Sequence, residues 1–272
     1  MRFEKRPIQL ARGDDSAGFS IPSLMPREAT FIPAESSTLC ESCGYTLDGL
    51  PDDGNCPECG HAVIQSRGGD GRGAPAWEDT SAQPRSAINR FIATSLAIIF
   101  TPRHFYRTLA TRGDLKKPLI FARLHWLLSA ILIGGALYQH TMWYSELLGW
   151  QRPAGMAIWL APASVTMIYL LLWGTTRVAA WLTAWEAGYR GYRLPKPVVL
   201  RGLYYHAAHY LPVGLAAFAT TAGYRWAMAH SFLSYRSASV YLVALCIEVL
   251  LGAGYLFKVY WTGMRNMMYA NR

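Results

Sequence analysis

Four stretches of about twenty residues, each nearly free of charge, limit what this chain can fold into more than any other feature. They run from about Leu124 to Trp143, Gly155 to Thr176, Tyr205 to Gly223 and Ser239 to Trp261. A helix of that length, rising ~1.5 Å per residue, crosses a hydrocarbon core ~30 Å thick. The lipid bilayer is therefore the first expected partner. Pro162 and Pro212 fall inside these stretches. In lipid such prolines are accommodated because neighbouring helices and Ser/Thr hydroxyls take up the freed carbonyls. Charged residues make up only 16% of the chain, below the roughly 25% of soluble domains.

The formal charge of +9 would suggest nucleic acid if it were evenly spread. It is not. Residues 1–84 hold 7 Lys/Arg and 13 Asp/Glu, whereas residues 85–272 hold 19 and 4. The positive excess flanks the apolar segments in alternation: 8 Lys/Arg before the first, then 1, 5 and 2 in the connections, and 3 at the end. That places 16 on one side and 3 on the other. Basic flanks stay in the cytoplasm, so four spans with both termini cytoplasmic are predicted. The implied location is the cytoplasmic (inner) membrane. No apolar run of signal-peptide length occurs in the first thirty residues.

Ahead of the first span, residues 88–100 read as a helix too short to cross, stopped by Thr101-Pro102 and flanked by Arg90, Arg103 and Arg107. It is expected to lie flat at the cytoplasmic interface, with a buried re-entrant helix as the alternative. After the second span, residues 178–185 extend the apolar pattern past Arg177, so that helix should run on to Trp181 and Trp185. A fifth short crossing there would invert the C-terminal charges.

The soluble part centres on Cys40-Glu-Ser-Cys43-Gly44 and Cys56-Pro-Glu-Cys59-Gly60. Two such knuckles point four thiolates at one centre, and the glycines allow the tight turns. Cys40, Cys43, Cys56 and Cys59 are the expected ligands of a structural Zn2+ with no open coordination position. A pair of disulfides is the competing chemistry. With Tyr45, Leu47 and Leu50 as nearly the whole apolar content, folding of residues 36–64 should depend on the metal. Residues 35–64 carry six carboxylates and no Lys or Arg, a surface that repels phosphates and argues against nucleic acid as a partner. A protein partner, self-association or the chain's own basic membrane flank fits better. Residues 1–35 read as a disordered arm and 65–85 as a flexible Gly/Pro/Ser-rich linker.

Glu248 falls near the middle of the last span, where a carboxylate is costly and faces a partner. His209, Tyr210 or a carbonyl loosened by Pro212 are the expected partners. A proton or ion relay, or a second metal site with His206 and His209, are the alternatives. Cys246 reads as a packed apolar residue. Gly134-Gly135 and Gly252-Ala253-Gly254 would let helices approach closely. No catalytic motif is present, and no enzyme is expected.

The run Cys40-x-x-Cys43-Gly-Tyr-x-Leu-x-Gly-Leu-Pro51, closing with Cys56-Pro-Glu-Cys59-Gly60, resembles a zinc ribbon at the start of many uncharacterised bacterial membrane proteins. From Thr101-Pro-Arg-His-Phe-Tyr-Arg107 onward the chain is more distantly similar to Yip-type membrane proteins, which usually have five spans. That resemblance implies a membrane-shaping or trafficking-like adaptor without catalysis. The expected fold is an all-α membrane bundle of about four transmembrane helices, preceded by an interfacial helix and a small N-terminal zinc ribbon. The expected function is non-enzymatic, with the ribbon mediating protein interaction or bracing the bundle. The alternative is a transporter or ion-conducting protein using Glu248.

Overall fold

Ser86, Pro102 and Gly191 set helix boundaries by local chemistry. The computed structural model describes residues 37–67, 72–79, 86–111, 113–151, 153, 155–234 and 238–271. The N-terminal arm expected over 1–35, and linker residues 68–71 and 80–85, lie outside them. After a short helix α1 (Val63–Arg67), α2 (Ala87–Phe100) starts at Ser86, whose hydroxyl accepts from the Asn89 N–H at 3.2 Å. Pro102 cannot continue it and opens α3 (Pro102–Thr108) instead. Then come α4 (Lys116–Leu147), α5 (Met156–Arg190), α6 (Lys196–His206), α7 (Tyr210–Ala229) and α8 (Ala238–Met267). Gly191, at φ 75°, closes α5.

The described residues are mainly helical, with isolated bridges and no strand. Three helices, α4, α5 and α8, are long and apolar enough to cross a membrane. The segment expected as a span over 205–223 is divided. Its first residues belong to α6 and to a 3-10 turn at Ala207–His209, and α7 follows with 20 residues. Pro212 explains the division, because it has no N–H for the carbonyl four residues back and its ring crowds that carbonyl. Thr220, Thr221 and Arg225 further dilute the apolar character of α7. The helix following the second span runs through Trp181 and Trp185 to Arg190 without a break.

The distribution of polarity is inverted relative to a water-soluble fold. Buried positions include Ser95, His125, Ser129, Ser164, Thr176, Thr183 and Thr221, while Leu170, Leu171, Trp173, Val243, Ile247, Val249, Leu250 and Leu251 are exposed. The buried threonines of α5 and α7 turn their hydroxyls onto carbonyls of their own helix at 2.7–2.9 Å. Such an exterior needs an apolar solvent. On α2 the exposed Ile88, Ile92, Leu96 and Phe100 form one ridge at four-residue spacing, and the opposite side buries Thr94, Ser95 and Ile98.

Successive long helices alternate in direction. Lys117 at the start of α4, Arg193 after α5, Arg201 in α6 and Asn271 after α8 all reach the N-terminal segment. The opposite ends meet in a cluster of Trp143, Tyr224 and Tyr241. Helix α4 is central, with Trp126 fully buried, and approaches α5 so closely at Gly134 that a Cβ there would lie 2.8 Å from the Val165 backbone. Gly252 faces Val213, whereas a Cβ on Gly254 would meet open space.

Candidate metal centre and its seam with the bundle

The two cysteine knuckles are built alike. In the first, the Cys40 carbonyl accepts from the Gly44 N–H at 2.8 Å and the Cys40 N–H donates to the Tyr45 carbonyl at 2.8 Å. In the second, the Cys56 carbonyl accepts from Gly60 at 2.9 Å and the Cys56 N–H donates to His61 at 2.8 Å. Gly44 and Gly60 take φ of 85° and 71°, which is open to glycine at little cost. Antiparallel bridges Leu39–Thr46 and Asn55–Ala62 flank the two turns.

This geometry brings the sulfurs of Cys40, Cys43, Cys56 and Cys59 within 4.8 Å of one another, and together they can hold a metal ion. The Cys40–Cys59 pair is 3.5 Å apart and the Cys43–Cys56 pair 3.6 Å. Disulfides would need ~2.05 Å, and the cysteines are free. A tetrahedron with metal–sulfur bonds of ~2.3 Å has edges near ~3.8 Å, so the donor set fits a four-coordinate ion with little movement. Burial pushes the Cys40 and Cys43 thiols up, while the His61 backbone N–H draws Cys59 down to about 7. A cation would therefore displace protons from at least two sulfurs. Leu47 and Val63 are fully buried beside the cysteines, with Leu50 packed on them. Tyr45, part of the module's apolar content, is exposed.

The module is fastened to the bundle along one edge. Asn271 receives the Leu39 N–H at 2.8 Å and donates to the Leu39 and Ser66 carbonyls at 2.6 and 2.7 Å. Its own N–H reaches Glu41 at 3.2 Å. Tyr269 lies against the first knuckle, where a Cβ on Gly44 would meet its ring at 2.5 Å. Arg193 donates to the Ser37 carbonyl at 2.7 Å.

Residues 72–79, inside the segment expected to be a flexible linker, form a strap over the same end of the bundle. Arg72 grips Glu41 through two bonds of 3.0 and 3.1 Å and also donates to the carbonyls of Tyr106, Leu109 and Asn266. Trp77 packs on Phe91 and Phe121 and donates to the Lys117 carbonyl at 2.8 Å. Glu78 enters the bundle and accepts two bonds from Arg201 at 2.6 and 2.8 Å and a short bond from the Tyr205 hydroxyl. The Arg201 side chain is only 2% exposed, so Glu78 is the counterion that lets it stay buried.

The polar residues inside the bundle do not pair as expected. His209 bonds Tyr255 at 2.8 Å, not Glu248. His125 sits between the Ser95 hydroxyl and the Phe121 carbonyl, both at 3.0 Å. Both Glu248 carboxyl oxygens are buried without a hydrogen-bond partner. Seven residues, or ~10 Å of helix, separate Glu248 from Tyr255, so the metal site considered for His206, His209 and Glu248 does not form. Among the described residues, the four cysteines are the cluster of ligating side chains that converges. Cys246, expected to be packed, is exposed on α8.

Composition alone did not reveal Arg72, Glu78, Arg201 and Asn271. A legible trace existed in Trp77-Glu78, an aromatic and a carboxylate amid Gly, Pro and Ser, and in Arg201 between Leu200 and Gly202. No family description, curated protein or solved structure matches the chain.

Proposed function

We propose that this chain is a non-enzymatic integral membrane protein in which a zinc-bound cysteine module braces the cytoplasmic face of a four-pass bundle. The fastening of the module by Asn271 and Arg72 carries the reading. An edge already occupied by the chain's own tail and strap holds its helices in register, and leaves Asp48, Asp53 and Glu58 as the exposed acidic face for a basic protein partner. Four thiolates leave no open position, so the ion acts as a structural clamp. The return of the chain after α8 to the module supports an even number of passes, with α6, the 3-10 turn and α7 together as the third. Alternating basic flanks support cytoplasmic termini.

The test joins topology and metal. Reporter fusions at the two ends should both read cytoplasmic, and Cys40→Ser should lower the melting temperature of the helical bundle. An external N-terminus, or a bundle indifferent to Cys40→Ser, contradicts the proposal.

One observation favours a second reading, transport. Glu248 lines an apolar groove of about 790 Å3 between α7 and α8, with its carboxyl unpartnered. Glu248→Gln separates the two: flux in the wild type that the variant loses through an intact bundle supports transport, and no flux in either protein supports the brace.

A further inference from the structure

A second concavity lies where the cysteine module meets the bundle. It encloses about 530 Å3 and opens beside Trp261, an aromatic placed where a headgroup layer would be. Arg103 and Arg107, one turn apart on α3, line it together with Arg265 near the end of α8. Among the described residues none of these three guanidiniums is paired with a carboxylate. Glu41 also borders the cavity, but Arg72 already holds both of its oxygens. On the module side, the ring Nε2 of His61 is buried at this cavity with no partner.

Three cations facing one half-enclosed space repel one another, although each side chain is exposed and water screens part of that repulsion. An anion with several acceptor oxygens removes the repulsion and satisfies the planar forks, which match phosphate geometry. The geometry points to a phosphate-binding site at this seam, for the phosphate of an anionic phospholipid headgroup or for a free phosphate. The occupant would contact α3, α8 and the cysteine module at once, so its binding tightens the same junction that Asn271 and Arg72 hold. The lipid source rests on the membrane reading above. The arginine cluster itself does not.

The test uses the full chain in non-ionic detergent. Native mass spectrometry counts retained phosphatidylglycerol against phosphatidylcholine, and thermal melts with added inorganic phosphate report the soluble source. The variants are R265Q, the triple R103Q/R107Q/R265Q, and R190Q as control, since Arg190 is exposed and paired with Glu186 away from the seam. Wild type should prefer the anionic lipid, R265Q should weaken it about tenfold, the triple variant further still, and R190Q should match wild type. An arginine-dependent stabilisation by inorganic phosphate equal to that by lipid supports the site with a free phosphate as occupant. Should the triple variant lose its folded elution profile, R265Q alone decides. Retention and melting identical in wild type and R265Q, with lipid and with phosphate, overturn the assignment. A chain that proves soluble without detergent removes the lipid source but leaves the phosphate melt readable.

Discussion

Replacing Glu78 by alanine should destabilise the whole bundle, although the residue lies in a Gly/Pro-rich connection. Its carboxylate accepts two bonds from Arg201 and one from Tyr205, and Arg201 has 2% of its side chain exposed. Removal leaves a buried guanidinium without a counterion, a change that costs about 3–5 kcal/mol. Exposed pairs, worth about 0–1 kcal/mol, are the wrong comparison at this depth. Each 1.4 kcal/mol is about tenfold, so the fraction of unfolded chain should rise by roughly two to three and a half orders of magnitude. The assay is helix loss under denaturant in detergent, read by circular dichroism, with trypsin cleavage at Arg72 as a local report on strap release. The double variant Glu78→Ala/Arg201→Met supplies the internal control. Removing both charges should recover most of the loss, because the cost belongs to the orphaned cation. A single Glu78→Ala variant within about 0.5 kcal/mol of wild type would refute the reasoning.

Three shorter tests follow. Asn271→Ala strands the Leu39 N–H and the Leu39 and Ser66 carbonyls, at about 1–3 kcal/mol for each group that water cannot reach, and should raise protease cleavage between module and bundle. Gly44→Ala meets both a φ of 85° and the Tyr269 ring; it should weaken metal retention, and Tyr269→Ala should restore part of the loss by removing the clash but not the backbone strain. Metal affinity should climb with pH. Cys40 and Cys43 are pushed up and must give up protons to bind, so acid favours the metal-free form and alkali the loaded one. A competition titration should give a slope of at least about two log units per pH unit near neutrality, and a flat profile would contradict the ligand set.

The helices and the cysteine cluster were legible because each has a local signature. Apolar runs of span length identify α4, α5 and α8 without any tertiary knowledge, and the x-x spacing within each knuckle sets the sulfur convergence. Where the sequence reading departed from the structure, non-local contacts decided. The third apolar run looked uniform, yet Pro212 and its neighbours divide it into α6, a 3-10 turn and α7. His209 is one of three expected partners of Glu248, beside Tyr210 and a carbonyl near Pro212, but Tyr255 is the side chain of α8 that His209 meets. The strap at 72–79 has linker composition throughout, yet Arg72, Trp77 and Glu78 find partners far along the chain, 31 to 194 residues away for Arg72. Such pairings follow from the packed bundle and have no periodicity to betray them.

The most direct measurement is metal content together with helix melting of the intact chain in detergent, before and after chelation. One zinc per chain is predicted, and its removal should lower the temperature at which α4–α8 melt, because the module is clamped to them. A chain that holds no metal, or whose helices melt at the same temperature once the metal is stripped, contradicts the account.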